Sequence, residues 1–173
     1  MITSILGSTL ILLSSSLMGF YYSKTYTRRT NDLCTFKKAL ILLKGEINYS
    51  LSPLPEALED VGSRFNNEIG EFYKSVSDEL KLNSGETLNQ VWKKKAEEIL
   101  KRTYLNSVDI KNIIIFSENI GYLDKETQNN HINLLIEQIN EEIKTSTQND
   151  HKYNKLYRSL GILAGIFIIV ILI

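Results

Sequence analysis

The chain has 173 residues, a length suited to one domain, and its 20 basic and 20 acidic side chains cancel at neutral pH, so no net field recruits nucleic acid. Only nine glycines and two prolines interrupt it, which favours long helices over sheets. The single Cys34 cannot close an internal disulfide and has no ligand-spaced cysteine or histidine nearby; redox and zinc motifs are therefore unsupported, and its expected role is a small apolar filler.

From Met1 to Ser23 no side chain is charged, and Ile2, Ile5, Leu6, Leu10, Ile11, Leu12, Leu13, Leu17, Met18 and Phe20 make the run strongly apolar. At ~1.5 Å per residue such a helix crosses a hydrocarbon core of roughly 30 Å. A cleaved signal peptide would need a basic start and a small-residue cleavage site, and neither is evident. Tyr21, Tyr22 and Tyr26 follow as an aromatic belt, and Lys24, Arg28, Arg29, Lys37, Lys38 and Lys44 place positive charge directly after the span. That asymmetry puts the following domain in the cytoplasm. The expected division is a transmembrane helix over 1–23, a cytoplasmic helical bundle over 24–158 and a second transmembrane helix over 159–173.

Leu33, Phe36, Leu40, Leu43 and Ile47 recur at steps of three and four, one apolar stripe on a helix that continues from the first span and stops near Ser50. Ser52 is placed to cap a second helix with Pro53 at its first position and Pro55 still in the tolerated first turn. Leu54, Ala57, Leu58 and Val61 form its buried face. A third helix carries Ile69, Phe72, Val76 and Leu80; the Asn83-Ser84-Gly85 loop separates it from a fourth with Leu88, Val91, Trp92, Ile99 and Leu100. Lys93, Lys94 and Lys95 are expected to face water there, a solvated surface or a dock for an acidic lipid or partner. A fifth helix opens near Asn106 or Ser107, carries Ile110, Ile113, Ile114 and Phe116, and is expected to end at Gly121. Asp124 then caps a long helix marked by Ile132, Leu135, Ile136, Ile139 and Ile143, with a polar stretch over Thr145 to Asp150 where a bend is possible.

Lys152, Lys155 and Arg158 precede an uncharged run from Ser159 to Ile173. Positive charge again lies on the domain side, but the run spans only on the order of 22 Å against ~30 Å, so Arg158 and Lys155 must snorkel or the bilayer must thin. Gly161 and Gly165 form a small-xxx-small pair, matched by Ser15 and Gly19 in the first span, as helix packing in a membrane would use; glycine is also simply common in such helices. The fold class is all-α, a compact bundle of about six helices flanked by the two spans.

Catalysis has no visible address. His131 and His151 belong to no HExxH-type pattern, no phosphate-binding glycine loop or nucleophile elbow occurs, and no carboxylate pair with histidine prepares a di-iron centre. No metal, cofactor or catalytic residue is expected.

Three stretches together resemble the stage III sporulation protein AB family. In the first, Gly19 to Leu58, the carriers are Tyr26, Arg28 or Arg29, Leu33, Leu40, Leu43, Glu46-Ile47, Tyr49, Pro53-Leu54 and Ala57-Leu58. In the second, Phe116 to Ile132, they are Ile120-Gly121, Asp124, Gln128 and Ile132, with Ser117 and Ile120 departing from the usual Gly and Leu. The third, Tyr157 to Gly165, is similar to the family's terminal signature almost residue for residue, while Ser63 to Asn106 matches only in character. The resemblance implies a subunit of the channel apparatus in the mother-cell membrane facing the forespore, with a soluble fold similar to the cytoplasmic domains of the type II secretion platform protein. It further implies an ATPase partner, stage III sporulation protein AA, and other channel subunits beside the lipid bilayer. Glu46, Asp124, Gln128, Arg158, Gly161 and Gly165 are the candidate contact or packing residues. Asp124 and Gln128 read more readily as a helix cap and its support, Glu46 is either a buried hydrogen-bond partner or a surface contact, and self-association stays open. The alternative is a regulatory membrane protein that signals through long coiled-coil-like helices.

Overall fold

The computed structural model describes residues 2–49, 53–82, 85–119 and 125–172. Among them are six α-helices and two 3₁₀ turns, without a strand: α1 (Ile2–Tyr49), α2 (Leu54–Ser63), α3 (Glu68–Lys81), α4 (Leu88–Ile99), α5 (Ser107–Phe116) and α6 (Lys125–Leu172), with the 3₁₀ turns at Leu100–Arg102 and Ser117–Asn119. The all-helical class is as the sequence predicts. The chain divides into two units, Asn31–Ile143 in one and Met1–Thr30 with Lys144–Ile173 in the other.

Local chemistry sets the helix starts. Asn67 accepts from the Gly70 amide at 3.2 Å to open α3. Thr87 and Gln90 exchange side-chain and backbone bonds at the head of α4, at 3.4 and 2.9 Å. Asn106 and Asp109 do the same for α5, at 2.9 and 2.8 Å. Each satisfies amides that have no partner inside the helix. The head of α2 differs from expectation by one residue: Pro53 is the cap and Pro55 the second helical position, because the Glu56 and Ala57 amides both reach the Pro53 carbonyl, at 3.0 and 3.2 Å. The expected cap Ser52 and its neighbour Ser50 lie outside the described residues, as do Asn83 and Ser84. Gly85, with φ +80°, supplies the left-handed turn before α4.

Ordering these helices is the work of one apolar core in the 31–143 unit. Leu33, Phe36, Leu40 and Leu43 of α1 meet Ala57, Leu58 and Val61 of α2, Ile69, Phe72 and Val76 of α3, Val91, Trp92 and Ile99 of α4, Ile113 and Phe116 of α5, and Ile132, Leu135 and Ile139 of α6, all buried. Burying each large side chain stabilises by about 1.5–3 kcal/mol. At the centre, Trp92 stands edge-on to Phe72 and Tyr73, with ring centroids 4.8 and 5.7 Å away. Ile47, Leu54, Leu80, Leu88, Ile110, Ile114, Ile136 and Ile143 are partly buried at its margin. Cys34 is half-buried beside this core, not sealed within it.

α2 and α3 approach backbone to backbone at Gly62 and Gly70. A Cβ at position 70 would lie 2.0 Å from the Phe65 carbonyl oxygen and 2.7 Å from that of Gly62, so no larger residue fits. The buried Ser77 hydroxyl donates to the Pro55 carbonyl at 2.6 Å and fastens the same pair. In the same unit α1 and α6 run antiparallel, because Asn48 and Asn129 exchange amide bonds at 3.0 and 2.6 Å while Lys44 reaches Asn133 at 2.7 Å.

α5 ends five residues before the expected Gly121. The Ser117 hydroxyl donates to the Ile114 carbonyl at 2.7 Å and its amide bonds to Ile114 and Ile115, which tightens the last turn into the 3₁₀ segment. Gly121 itself lies outside the described residues. α6 is continuous as a helix over Lys125–Leu172, so the polar stretch 145–150 does not interrupt it.

In the other unit Thr30 Oγ1 donates to the buried Ser146 Oγ at 2.8 Å. Leu10, Leu17, Leu160, Leu163, Ile166, Phe167, Ile168 and Val170 stand exposed there. Among the described residues no helix is long and apolar enough to cross a membrane, so the two spans remain a proposal, taken up below.

Candidate functional site

α5 is apolar on every side: Val108, Ile110, Ile113, Ile114, Ile115 and Phe116 fall within ten residues. A helix turns 100° per residue, so three consecutive isoleucines cannot share one buried face. Ile113 and Phe116 enter the core; Val108 and Ile115 remain 55% and 43% exposed.

Beside this outer face lies an open groove of about 690 Å³ between α4 and α5, lined by Lys93, Glu97, Lys101, Leu105, Asn106, Ser107, Ile110, Lys111, Ile114 and Ile115. Its floor is aliphatic and its rim cationic. A smaller pocket of about 110 Å³ lies on the other side of Ile115, against His131, Leu134, Leu135 and Gln138 of α6. Leu134 is 52% exposed, so the apolar surface continues from the groove across α5 onto α6.

Buried bonds hold this surface in shape. Trp92 Nε1 donates to the Ile113 carbonyl at 2.9 Å. The connection between α4 and α5 is pinned by the Thr103 hydroxyl on the Leu100 carbonyl at 2.6 Å and by the Tyr104 amide on Asp32 Oδ2 at 2.8 Å. Burial pushes the Asp32 carboxyl above its usual range; the Tyr104 amide opposes this and nearby Glu68 reinforces it. Arg102 closes the edge on Glu71 at 2.6 Å.

The three consecutive lysines of α4 do not behave alike, which corrects the expectation that all face water. Lys94 is 3.7 Å from both Glu79 and Glu86, and Lys95, with a side chain only 17% exposed, is 3.3 Å from Glu79 and 3.9 Å from Glu98. Glu79 is held below the ordinary carboxylate range by its hydrogen bond to Lys95 and the charge of Lys94. Lys93, one helical step away, points into the groove instead. Among the described residues Lys93, Lys101 and Lys111 form no ion pair. Aliphatic contact framed by unpaired positive charge is chemistry that docking surfaces share. Among the described residues no three His, Cys, Asp or Glu side chains gather as metal ligands.

The residues singled out from the sequence lie elsewhere. Glu46 is half-buried and faces Arg64 at 3.5 Å, a contact within the fold between α1 and the end of α2. Gln128 is half-buried in the first turns of α6. Asp124 lies outside the described residues. Arg158, Gly161 and Gly165 fall within the helical span of α6, and their packing, like that of Gly19, lies outside what is described. The groove escaped the sequence reading although a signal was present: Ile113-Ile114-Ile115 cannot be buried together by a surface helix.

Comparison with known proteins agrees with this architecture. Residues 4–173 match the family profile described as Stage III sporulation protein AB (spore_III_AB). The chain is 26% identical over 168 residues to Stage III sporulation protein AB of Bacillus subtilis (strain 168), covering 97% of this chain and 98% of that protein. A solved structure titled Stage III sporulation protein AB (SpoIIIAB) superposes with a TM-score of 0.66 over 71% of this chain and 96% of its own, at 20% identity, a likeness of fold. With the profile spanning nearly the whole sequence, the chain belongs to the stage III sporulation protein AB family.

Proposed function

We propose that this chain is a non-enzymatic platform subunit of the mother cell–forespore channel complex, anchored in the mother-cell membrane by both ends with its helical bundle in the cytoplasm. Its partners in this reading are an ATPase similar to stage III sporulation protein AA and further channel subunits. The observation that carries the membrane attachment is the exposure of Leu10, Leu17, Leu163, Ile166, Phe167 and Val170, between 46% and 71% each, within two uncharged terminal runs. Exposed large apolar side chains gathered in this way are costly in water and favourable in lipid. Lys24, Arg28 and Arg29 on one side and Lys152, Lys155 and Arg158 on the other give both runs the charge bias of a cytoplasmic domain. The ATPase partner rests on the family resemblance and on the analogy with secretion platforms.

Cysteine accessibility in membrane vesicles tests it. In a Cys34→Ser background, single reporters are placed by Ser4→Cys, Glu86→Cys and Ile173→Cys and treated from outside with a membrane-impermeant thiol reagent. Protection of the Glu86 reporter alone is expected, followed by recovery of the ATPase on affinity purification. Labelling of the Glu86 reporter from outside would place the bundle on the wrong side and end the proposal.

A further inference from the structure

We propose that the groove between α4 and α5 is a docking site for an amphipathic helix of a partner protein, one whose apolar stripe is flanked by an excess of Asp and Glu. This inference rests on the reading of the chain as an assembly subunit and specifies which face of it engages a partner. Leu105, Ile110, Ile114 and Ile115 form the aliphatic floor, and Ile115 continues it toward the exposed Leu134. A floor of this type receives large side chains at helical spacing, as in other helix-in-groove complexes.

Charge selects the occupant. The rim carries Lys93, Lys101 and Lys111 against the single carboxylate of Glu97. Among the described residues other cations of α3, α4 and the turn after α4 are already used: Lys94 and Lys95 on Glu79, Lys81 on Glu59 and Arg102 on Glu71. The three groove lysines retain their positive charge for an incoming acidic group. Lys93, Glu97 and Lys101 succeed one another at four-residue steps along α4 and into the 3₁₀ turn that follows it, a line of roughly 12 Å, so Lys93 and Lys101 do not converge on a point. That spacing suits acidic side chains distributed along a helix lying in the groove, with a basic or amide residue opposite Glu97. A single lipid phosphate could not bridge Lys93 and Lys101 without meeting the Glu97 carboxylate set between them along the chain.

The test uses the full-length chain in a sporulating host, with p-benzoylphenylalanine replacing Ile115. After irradiation and purification, mass spectrometry identifies the segment attached to the photoprobe. The expected product is a segment of another protein, amphipathic as a helix and with more acidic than basic residues. Its yield should fall about tenfold in the triple variant Lys93→Glu, Lys101→Glu, Lys111→Glu and persist when the same lysines become arginine, the range that loss of several rim charges produces. Circular dichroism and Trp92 emission, unchanged in both variants, show that the bundle is intact; all three positions are exposed. An adduct with lipid, with a second copy of this chain or with a segment lacking acidic excess overturns the proposal, as does no adduct or a yield indifferent to charge reversal. If the groove fails while the Glu86 reporter stays protected and the ATPase is recovered, the assembly reading stands without this docking site.

Discussion

The indole nitrogen of Trp92 donates a buried hydrogen bond of 2.9 Å to the backbone carbonyl of Ile113. In a continuing helix that carbonyl would receive the amide of Ser117, but that amide turns instead to Ile114 and Ile115. The tightened end of α5 thus frees an acceptor, and the largest core side chain of α4 takes it. One bond links the termination of α5 to the position of the groove wall.

Trp92→Phe removes the donor while keeping an aromatic ring in the cluster. A buried carbonyl left without a partner costs about 1–3 kcal/mol, and the smaller ring adds a cavity. Loss of about 2–4 kcal/mol in urea unfolding followed by circular dichroism is expected. An unchanged midpoint would mean that the Ile113 carbonyl is satisfied some other way.

Tyr73 offers the opposite case. It is fully buried, and its hydroxyl is without a hydrogen-bond partner, so Tyr73→Phe should be neutral or stabilise by up to about 1 kcal/mol at pH 7. Burial also drives its phenol far above the ordinary tyrosine range. A group with a raised folded pKa contributes full stability below its unfolded value, near 10, and loses it as the pH climbs beyond. The wild-type protein should therefore weaken above about pH 10 more steeply than the phenylalanine variant, and unfolding midpoints at pH 8 and pH 10.5 make the comparison.

Two glycines separate close packing from simple propensity. Gly70→Ala forces a Cβ to 2.0 Å from the Phe65 carbonyl and should cost about 2–4 kcal/mol by pushing α2 and α3 apart. Gly45→Ala, inside α1 with nothing within 4 Å of its Cβ, should stabilise by about 0.5–1 kcal/mol through helix propensity alone. Thermal unfolding of both variants checks that the effects have opposite sign.

Asp32 is held partly buried by its bond to the Tyr104 amide, and its carboxyl is raised from the usual range, chiefly by burial. The sign follows from the direction: the neutral form is favoured by folding, so its contribution is full below about pH 4 and declines as pH rises through the raised value. Asp32→Asn, which keeps an acceptor without the charge, should stabilise at pH 7 by no more than a few tenths of a kcal/mol, since solvent screens a half-exposed carboxyl, and lose that advantage at pH 3.5. Asp32→Ala, which removes the carboxylate acceptor of the Tyr104 amide, should destabilise at both. Denaturant midpoints of the three proteins at the two pH values decide it.

The helices and their buried faces were legible in the sequence because periodicity is a local property. The Leu33 to Leu43 stripe, the faces of α2, α3 and α4, the start of α5 and the long α6 all follow from spacing and capping residues that act within four positions. The uncharged ends and their basic flanks were equally plain. Tertiary structure alone decided which of three adjacent lysines stays available, because Lys94 and Lys95 find Glu79 on another helix, and it supplied the partner at the end of α5, because Trp92 of α4 takes the Ile113 carbonyl that a further turn would use. It also made a groove of Ile114, Ile115, Leu105 and Lys93, residues on separate elements held together by the bond from Trp92 to the Ile113 carbonyl. Spacing along a chain reports what one helix can bury; only packing between helices determines what it must leave exposed.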